Sequence, residues 1–443
     1  MKKFILYTLM AGTLGLASCE KKLDLLNPQA VDAELAYGTD TKVKQVLIGI
    51  YGELGSGDLF GGNTQWLAEL MGSNGDATWD GTFPDPRAIW GKSIATNNSY
   101  VSGLYTQAYR VIALTNNVLA SLDVVNDADK ARVEGEAKFI RGLVYFELIK
   151  FFGEKSYSAA GAGSLRGVPL VTDPRPGSQL SSDNFVPRST IDEVYTQIIS
   201  DLTTAETNLA PRNSFYANKP SASLALARVY LQMLNYEAAR DAADRCITVA
   251  SANAYSLVAT YANEFNTTAN TTEDLFAMQV NTQSGTNSNQ TFYSTSDNGA
   301  RDLDIEINEV FLNKFTAGDA RRNMYIAEGD AFFCAKWRDP YTNVKVFRLA
   351  EAFLTRAEAN VRLGSATGAT VSADLAMTRT RAGLALIAAP SLTDVLAERE
   401  LEIAFEGQAF ADAKRLRLTT DGLAYDAPKM VWPIPQRETN IYD

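Results

Sequence analysis

Residues 135–153 read Gly135-Glu136-Ala137-Lys138-Phe139-Ile140-Arg141-Gly142-Leu143-Val144-Tyr145-Phe146-Glu147-Leu148-Ile149-Lys150-Phe151-Phe152-Gly153. On a 3.6-residue repeat, large apolar side chains fall nearly all round: Phe139, Ile140, Leu143, Val144, Phe146, Leu148, Ile149, Phe151 and Phe152. A helix with so little polar surface belongs in the middle of a fold, wrapped by other elements. The pattern begins near Ala131 and stops at Gly153, a residue type common just past a helix end. It predicts a central helix over 131–152.

Working outward, the same period predicts further helices. Thr41–Leu54 carries Val43, Val46, Leu47 and Ile50 on one face, and Ser99–Leu122 carries Leu104, Ala108, Val111, Ile112, Thr115 and Leu119. Thr190–Leu209, Phe347–Leu363, Ser372–Ala382 and Ser391–Leu416 follow. Residues 219–247 read as a helix-turn-helix in which Ala227, Tyr230 and Ala239 occupy the small, aromatic and small positions of a tetratricopeptide repeat. Three stretches lack the period: Gly55–Asn98, rich in Gly, Asn and Asp with interspersed tryptophans; 154–188, rich in Gly, Ser and Pro; and 248–346, rich in Asn, Thr and Ser. The expected fold is all-α or nearly so. Tetratricopeptide-like helix pairs (within about 41–54, 99–152, 190–247 and 347–416) pack against a loop-rich second half with an irregular insertion at 248–346. One domain spans 31–443.

Composition narrows the chemistry. The 443 residues contain no histidine, which removes Ser-His-Asp and Cys-His catalysis and histidine-led zinc sites. Cys19, Cys246 and Cys334 are too scattered for a zinc knuckle or a disulfide framework, and Cys246 and Cys334 read as small buried apolar residues. With 41 basic and 52 acidic residues the net charge is −11, a balance that repels phosphate backbones and argues against nucleic acid. No cofactor and no metal are expected.

The N-terminus reads as an address. Lys2 and Lys3 precede an apolar run from Phe4 to Leu16, too short to span a bilayer. Leu16-Ala17-Ser18-Cys19 resembles a bacterial lipobox, in which the cysteine thiol is acylated and the leader cut off before it. Residues 1–18 are then a lipoprotein signal peptide, Cys19 the lipidated residue, and 19–30 a tether. Losing the leader, with two lysines and no acid, takes the charge from −11 to −13.

Two acidic groups invite a chemical reading. Glu402 and Glu406, four apart on one predicted helix face, raise the question of a glycosidase pair. Two such acids must flank a sugar bond, however, and these share one face among Arg399, Lys414 and Arg415. Asp302, Asp304 and Glu306 alternate with Leu303, Ile305 and Ile307 on a strand-like segment, without the glycine-centred loop of a calcium site. The glutamate pair reads as part of an ordinary charge network and the alternating acids as a solvated face.

The aromatic loops point to a ligand. Asn74, Asp76, Trp79, Phe83 and Trp90 set three rings among short polar side chains, and Phe292 and Tyr293 repeat the pattern amid Ser, Thr and Asn. An aromatic face stacks on the C–H surface of a sugar while Asn and Asp bond its hydroxyls. The other reading is that these rings pin long loops to the body. Trp66, at helical spacing with Leu67, Leu70 and Met71, reads as core, and Trp337 as structural.

Four stretches together resemble the SusD/RagB family, the outer-membrane nutrient-binding lipoproteins of Bacteroidota. They are Gly135–Phe146 running on to Phe151-Phe152-Gly153; Ser221–Leu231; Phe347–Leu354 with Arg356-Ala357-Glu358-Ala359; and Arg399–Gln408 with Asp412 and Lys414-Arg415. Trp432-Pro433-Ile434-Pro435 is similar to the family's terminal Pro-Ile-Pro. The chain departs from the pattern at Gln408, where the family usually has histidine, and at Ala409-Phe410-Ala411, where it commonly has Arg-Trp-Phe. The resemblance implies a non-catalytic lipoprotein on the outer membrane, facing the exterior and held there by lipid alone. It implies an oligo- or polysaccharide ligand, and a SusC-like TonB-dependent β-barrel transporter as the partner that receives it. The rival readings are a carbohydrate-active enzyme, a protein-binding scaffold and a peptide-binding member of the same family.

Overall fold

The computed structural model describes residues 36–174 and 186–440; the leader, the tether and Cys19 lie outside the described residues. Helix accounts for 54% and strand for 8%, so the fold is mostly α as the periodicity implied.

Thr39 opens α1 (Asp40–Leu54) by accepting the Lys42 N–H. The stretch expected to be loop, 55–98, is instead folded into short elements: α2 (Asn63–Gly72), β1 (Ala77–Trp79) and α3 (Pro84–Trp90). Nearly every α2 side chain is buried, Asn63, Gln65 and Glu69 included, so its sequence shows no polar face to betray a helix. Then come α4 (Ser99–Ala120) and the central helix, α5 (Asp127–Phe152). Asn126 caps α5 by accepting from Asp129 N, which starts it four residues before the apolar pattern does. After a short antiparallel ladder of β2 (Arg166–Pro169) and β3 (Arg188–Thr190), α6 (Ile191–Asn208) begins at a reciprocal Thr190–Glu193 capping box. Helix α5 packs against both α4 and α6. In that core Arg141 grips Asp201 with two bonds of 2.7–2.8 Å and donates a third to Asn116. The predicted pair is α7 (Lys219–Gln232) and α8 (Tyr236–Ala252), which pack together with Ala227 and Ala239 fully buried.

The second half alternates short strands and helices: β4 (Asp274–Met278), α9 (Ser288–Tyr293), β5 (Ile305–Ile307), α10 (Glu309–Leu312), β6 (Tyr325–Glu328), β7 (Ala331–Cys334), β8 (Val344–Arg348), α11 (Leu349–Leu363), α12 (Val371–Arg381), α13 (Leu392–Glu402), α14 (Ala409–Arg415) and α15 (Gln436–Thr439). Strands pair only two at a time, all antiparallel: β1–β5, β2–β3, β4–β8 and β6–β7. Two predicted helices need correction. The one expected from Phe347 starts at Leu349, because Phe347 and Arg348 finish a strand whose five residues are all buried. The one expected over 391–416 breaks after Glu402: Phe405 (φ 60°) and Gly407 (φ 89°) turn the chain before α14 restarts. A Cβ on Gly407 would lie 2.8 Å from Gln65 Cα, so the site needs glycine twice over. Cys246 and Cys334 are buried free thiols; burial pushes that of Cys334 up to about 12.

Candidate functional site

The β1–β5 ladder sets the first aromatic stretch against residues 304–308, and the second meets it through the Trp79–Phe292 ring contact. Ala77, Thr78 and Trp79 pair with Ile307, Glu306 and Ile305, and the Asp80 and Gly81 N–H groups donate to the Asp304 carbonyl. Beyond the strand, Asn308 N donates to the Asp76 carbonyl and Asn308 Nδ2 to that of Gly75. Beneath the ladder Trp66, Trp79 and Phe292 pack ring on ring, with centroids 4.4–5.9 Å apart.

That packing corrects the expectation for three of the seven predicted site residues. Trp79 and Tyr293 have no exposed surface and Phe292 only 6%, so none offers a face to a ligand in this structure. Trp79 points inward from β1 toward α2, while Phe292 and Tyr293 close the core from α9, Phe292 against Trp66 and Tyr293 against Phe405. Trp90 is half-buried at the end of α3, its Nε1 donating to the Ala77 carbonyl. Phe83, Asn74 and Asp76 stay at the surface, Asn74 fully and the other two in part.

At one end of β1 the half-buried Phe83 ring lies under the Arg301 guanidinium, 3.7 Å from centroid to carbon. Arg301 also pairs with Asp304 at 2.6 Å and donates to Thr82 Oγ1 at 3.2 Å. Tyr100 stands beside it with its ring edge on Trp66; burial pushes its hydroxyl up to about 12, with the Arg301 charge opposing and nearby carboxylates adding to the rise. At the other end Asn74 and Asp76 line a cavity of about 500 Å³ with Phe311, Lys314, Leu396 and Phe405. Lys314 bridges Asp76 and Glu400 at 2.7 Å each. Burial raises the Asp76 carboxyl, and Lys314 opposes the rise. The site is therefore two polar clusters on a rigid aromatic base, an arrangement suited to stacking on and hydrogen bonding to a polyhydroxylated ligand. Sequence reading missed Arg301, Tyr100 and Lys314. The Arg301–Asp304 spacing was an available signal, but the sequence reading took only the alternating Asp302, Asp304 and Glu306, as a solvated face.

The remaining acids are structural. Glu402 and Glu406 share no helix face; the turn swings both onto Arg348, which bonds Glu406 at 2.7 and 2.8 Å and Glu402 at 3.1 Å. Arg381, Arg348 and Arg321 overcome burial and hold the Glu402 carboxyl down to about 2. A general acid needs the opposite shift, so this pair does not fit glycoside hydrolysis. Asp304 is committed to Arg301, and among the described residues no group of three His, Cys, Asp or Glu is placed to hold a metal.

Two family models match, end to end. Residues 23–231 match one described as "Starch-binding associating with outer membrane", and residues 228–442 match one described as "SusD family". Among curated proteins the chain is similar to SusD-like protein P2 of Formosa agariphila, 23% identical across 99% of this chain and 95% of that one. It is also similar to SusD-like protein P25 of the same organism, 28% identical over 56% of this chain. The latter match spans about half of the relative's length, 46%. Solved structures with the same fold include a SusD superfamily protein from Bacteroides thetaiotaomicron (TM-score 0.79, 22% identity, 91% of this chain and 98% of that one). A SusD-like carbohydrate binding protein from Bacteroides vulgatus superposes with a TM-score of 0.76 at 20% identity, over 91% of this chain and 96% of that one.

Proposed function

The chain belongs to the SusD/RagB family, and from that premise we propose that it is a non-catalytic, outer-membrane-associated protein that captures a glycan and delivers it to a TonB-dependent β-barrel transporter. The observation that carries the reading is the β1–β5 junction. The cluster of Phe83, Tyr100 and Arg301 stands at one end of β1 and that of Asn74, Asp76 and Lys314 at the other, which supports a saccharide site there. The buried rings beneath Phe83 and Tyr100 would hold that cluster in place before the ligand arrives, which lowers the cost of binding. A name that includes sugar or carbohydrate binding among the structural neighbours supports a saccharide over a peptide.

Calorimetric titration with a panel of oligosaccharides, alongside a turnover assay on the same panel, tests the reading. Saturable binding without cleavage is expected. Cleavage of any member would move the protein to the enzymes, and recovery of a protein partner with no saccharide bound would favour the scaffold. Anchoring at Cys19, with the body facing the exterior, belongs to the same proposal. Durable attachment needs more than one acyl chain, so Cys19→Ala should release the protein from the membrane fraction. Capture from native membranes should bring down an outer-membrane barrel.

A further inference from the structure

Away from the β1–β5 junction, the end of α5, the β2–β3 ladder and the C-terminal stretch enclose a second pocket of about 670 Å³. Its lining includes Lys92, Lys155, Arg188 and Lys429, against Glu154 and Asp426. Most of these charges are cancelled. Lys92 pairs with Asp421, Lys155 with Asp426 at 3.0 Å, and Glu154 with Arg166 at 3.1 Å. Arg188 and Lys429 have no carboxylate in ion-pair range among the described residues. The pocket thus keeps two surplus positive charges in a chain whose net charge is −11.

Arg188 is the more telling of the two because it is fixed. Its Nε donates to the Gly167 carbonyl at 2.8 Å, and its Nη2 to the carbonyls of Phe152 at 2.7 Å and Arg166 at 3.2 Å. Among the described residues its Nη1 has no hydrogen-bond acceptor. Burial, and then the charge of Arg166, push the guanidinium below its ordinary value, and Glu154, beyond ion-pair range, offsets only part of that. A half-buried cation held rigid with no carboxylate in ion-pair range among the described residues, at the wall of a cavity, is the arrangement of an anion receptor.

We propose that this pocket binds the acidic group of a saccharide, a uronate carboxylate or a sulfate ester, with Arg188 as the oriented donor and Lys429 as a mobile cation at the rim. The inference rests on the saccharide reading above and narrows it to an acidic glycan. The volume far exceeds that of one oxyanion, and the Ile94, Pro428, Val431 and Pro433 side chains give the walls apolar surface for a sugar ring.

The test is calorimetric titration of the mature chain with four probes: a neutral maltohexaose, a hexagalacturonate, a sulfated galactan hexamer and sodium sulfate alone. At least one acidic oligosaccharide should bind, weakened about tenfold by Arg188→Gln and about threefold by Lys429→Gln. Arg188→Lys should recover part of the loss, and added salt should weaken wild type more than Arg188→Gln. Lys429 is exposed, so its variant reports even if Arg188→Gln fails to fold. Affinity for the acidic probes unchanged in Lys429→Gln and Arg188→Gln would overturn the inference. So would sodium sulfate binding as tightly as the oligosaccharides, which would make this a free-ion site. Binding of maltohexaose with neither acidic probe bound would overturn it while leaving the saccharide reading intact. Silence from all four probes would take both down.

Discussion

At the β1–β5 junction the irregular second half is fastened by stacked rings, Trp66 on Trp79 and Phe292, and Trp79 Nε1 is buried there without an acceptor. At the β4–β8 ladder the same half is fastened by buried charge. Arg348 bonds Glu273 at 2.6 Å, Glu402 and Glu406; Arg381 reaches Glu273 and Glu402; Lys336 bonds Glu406 at 2.8 Å. Both attachments are dry, yet they answer to different variables. Ring packing depends on shape and is blind to protons and salt. The ionic lattice depends on every carboxylate staying ionised, because removing one partner strands the rest.

The largest separation should come from Arg348→Ala. It leaves three buried carboxylates under-compensated and should cost about 5 kcal/mol in urea unfolding, the upper end for a broken buried pair. Trp79→Ala should cost somewhat less, about 3–4 kcal/mol, through the cavity it opens between Trp66 and Phe292. A loss below about 1 kcal/mol there would mean the ring is not the fastener its burial implies. Acid should then distinguish the two. The Glu402 carboxyl sits at about 2, below its ordinary 4.5, so its stabilisation is complete above pH of about 4.5 and drains away as pH falls toward 2. Over that window the penalty of Arg348→Ala should shrink as its stranded acids take up protons. That of Trp79→Ala should stay constant, and melts of both variants from pH 6 to pH 3 check this. The smallest structural effect belongs to Phe83→Ala at the half-exposed rim: under about 1 kcal/mol in stability, with about a fivefold loss of glycan affinity. A large stability loss without a change in affinity would place Phe83 with the fasteners instead of the site.

The contrast also explains what the sequence could disclose. Helices α4 to α8 repeat their apolar residues often enough to be read within a few positions of their observed ends. Composition marks the rings of 73–90 and 292–293 but not their direction: Trp79 lies on a three-residue strand too short for alternation to show, and Phe292 and Tyr293 on a helix of six residues too short for a face to show. The ionic lattice was hidden for another reason. Glu402 and Glu406 carry helical spacing, and the turn between them hinges on Phe405 at φ 60°, a residue type that gives no hint of a left-handed conformation. Arg301 and Lys314 matter through partners far along the chain, in Phe83 and Asp76, and no local pattern announces such pairs.

The β4–β8 ladder has a consequence in time. It joins residues 274–278 to 344–348 across a long loop, and its last residue, Arg348, waits on Glu402 and Glu406 from still further along. The α7–α8 pair closes over a three-residue turn. Loop-closure entropy therefore puts the helix pairs early in folding and the ladder late. Until residues 402–406 have been made, more than fifty positions after it, Arg348 lacks its partners Glu402 and Glu406. A chain stalled before that point would carry an unfinished, charge-exposed seam for quality-control proteases to find.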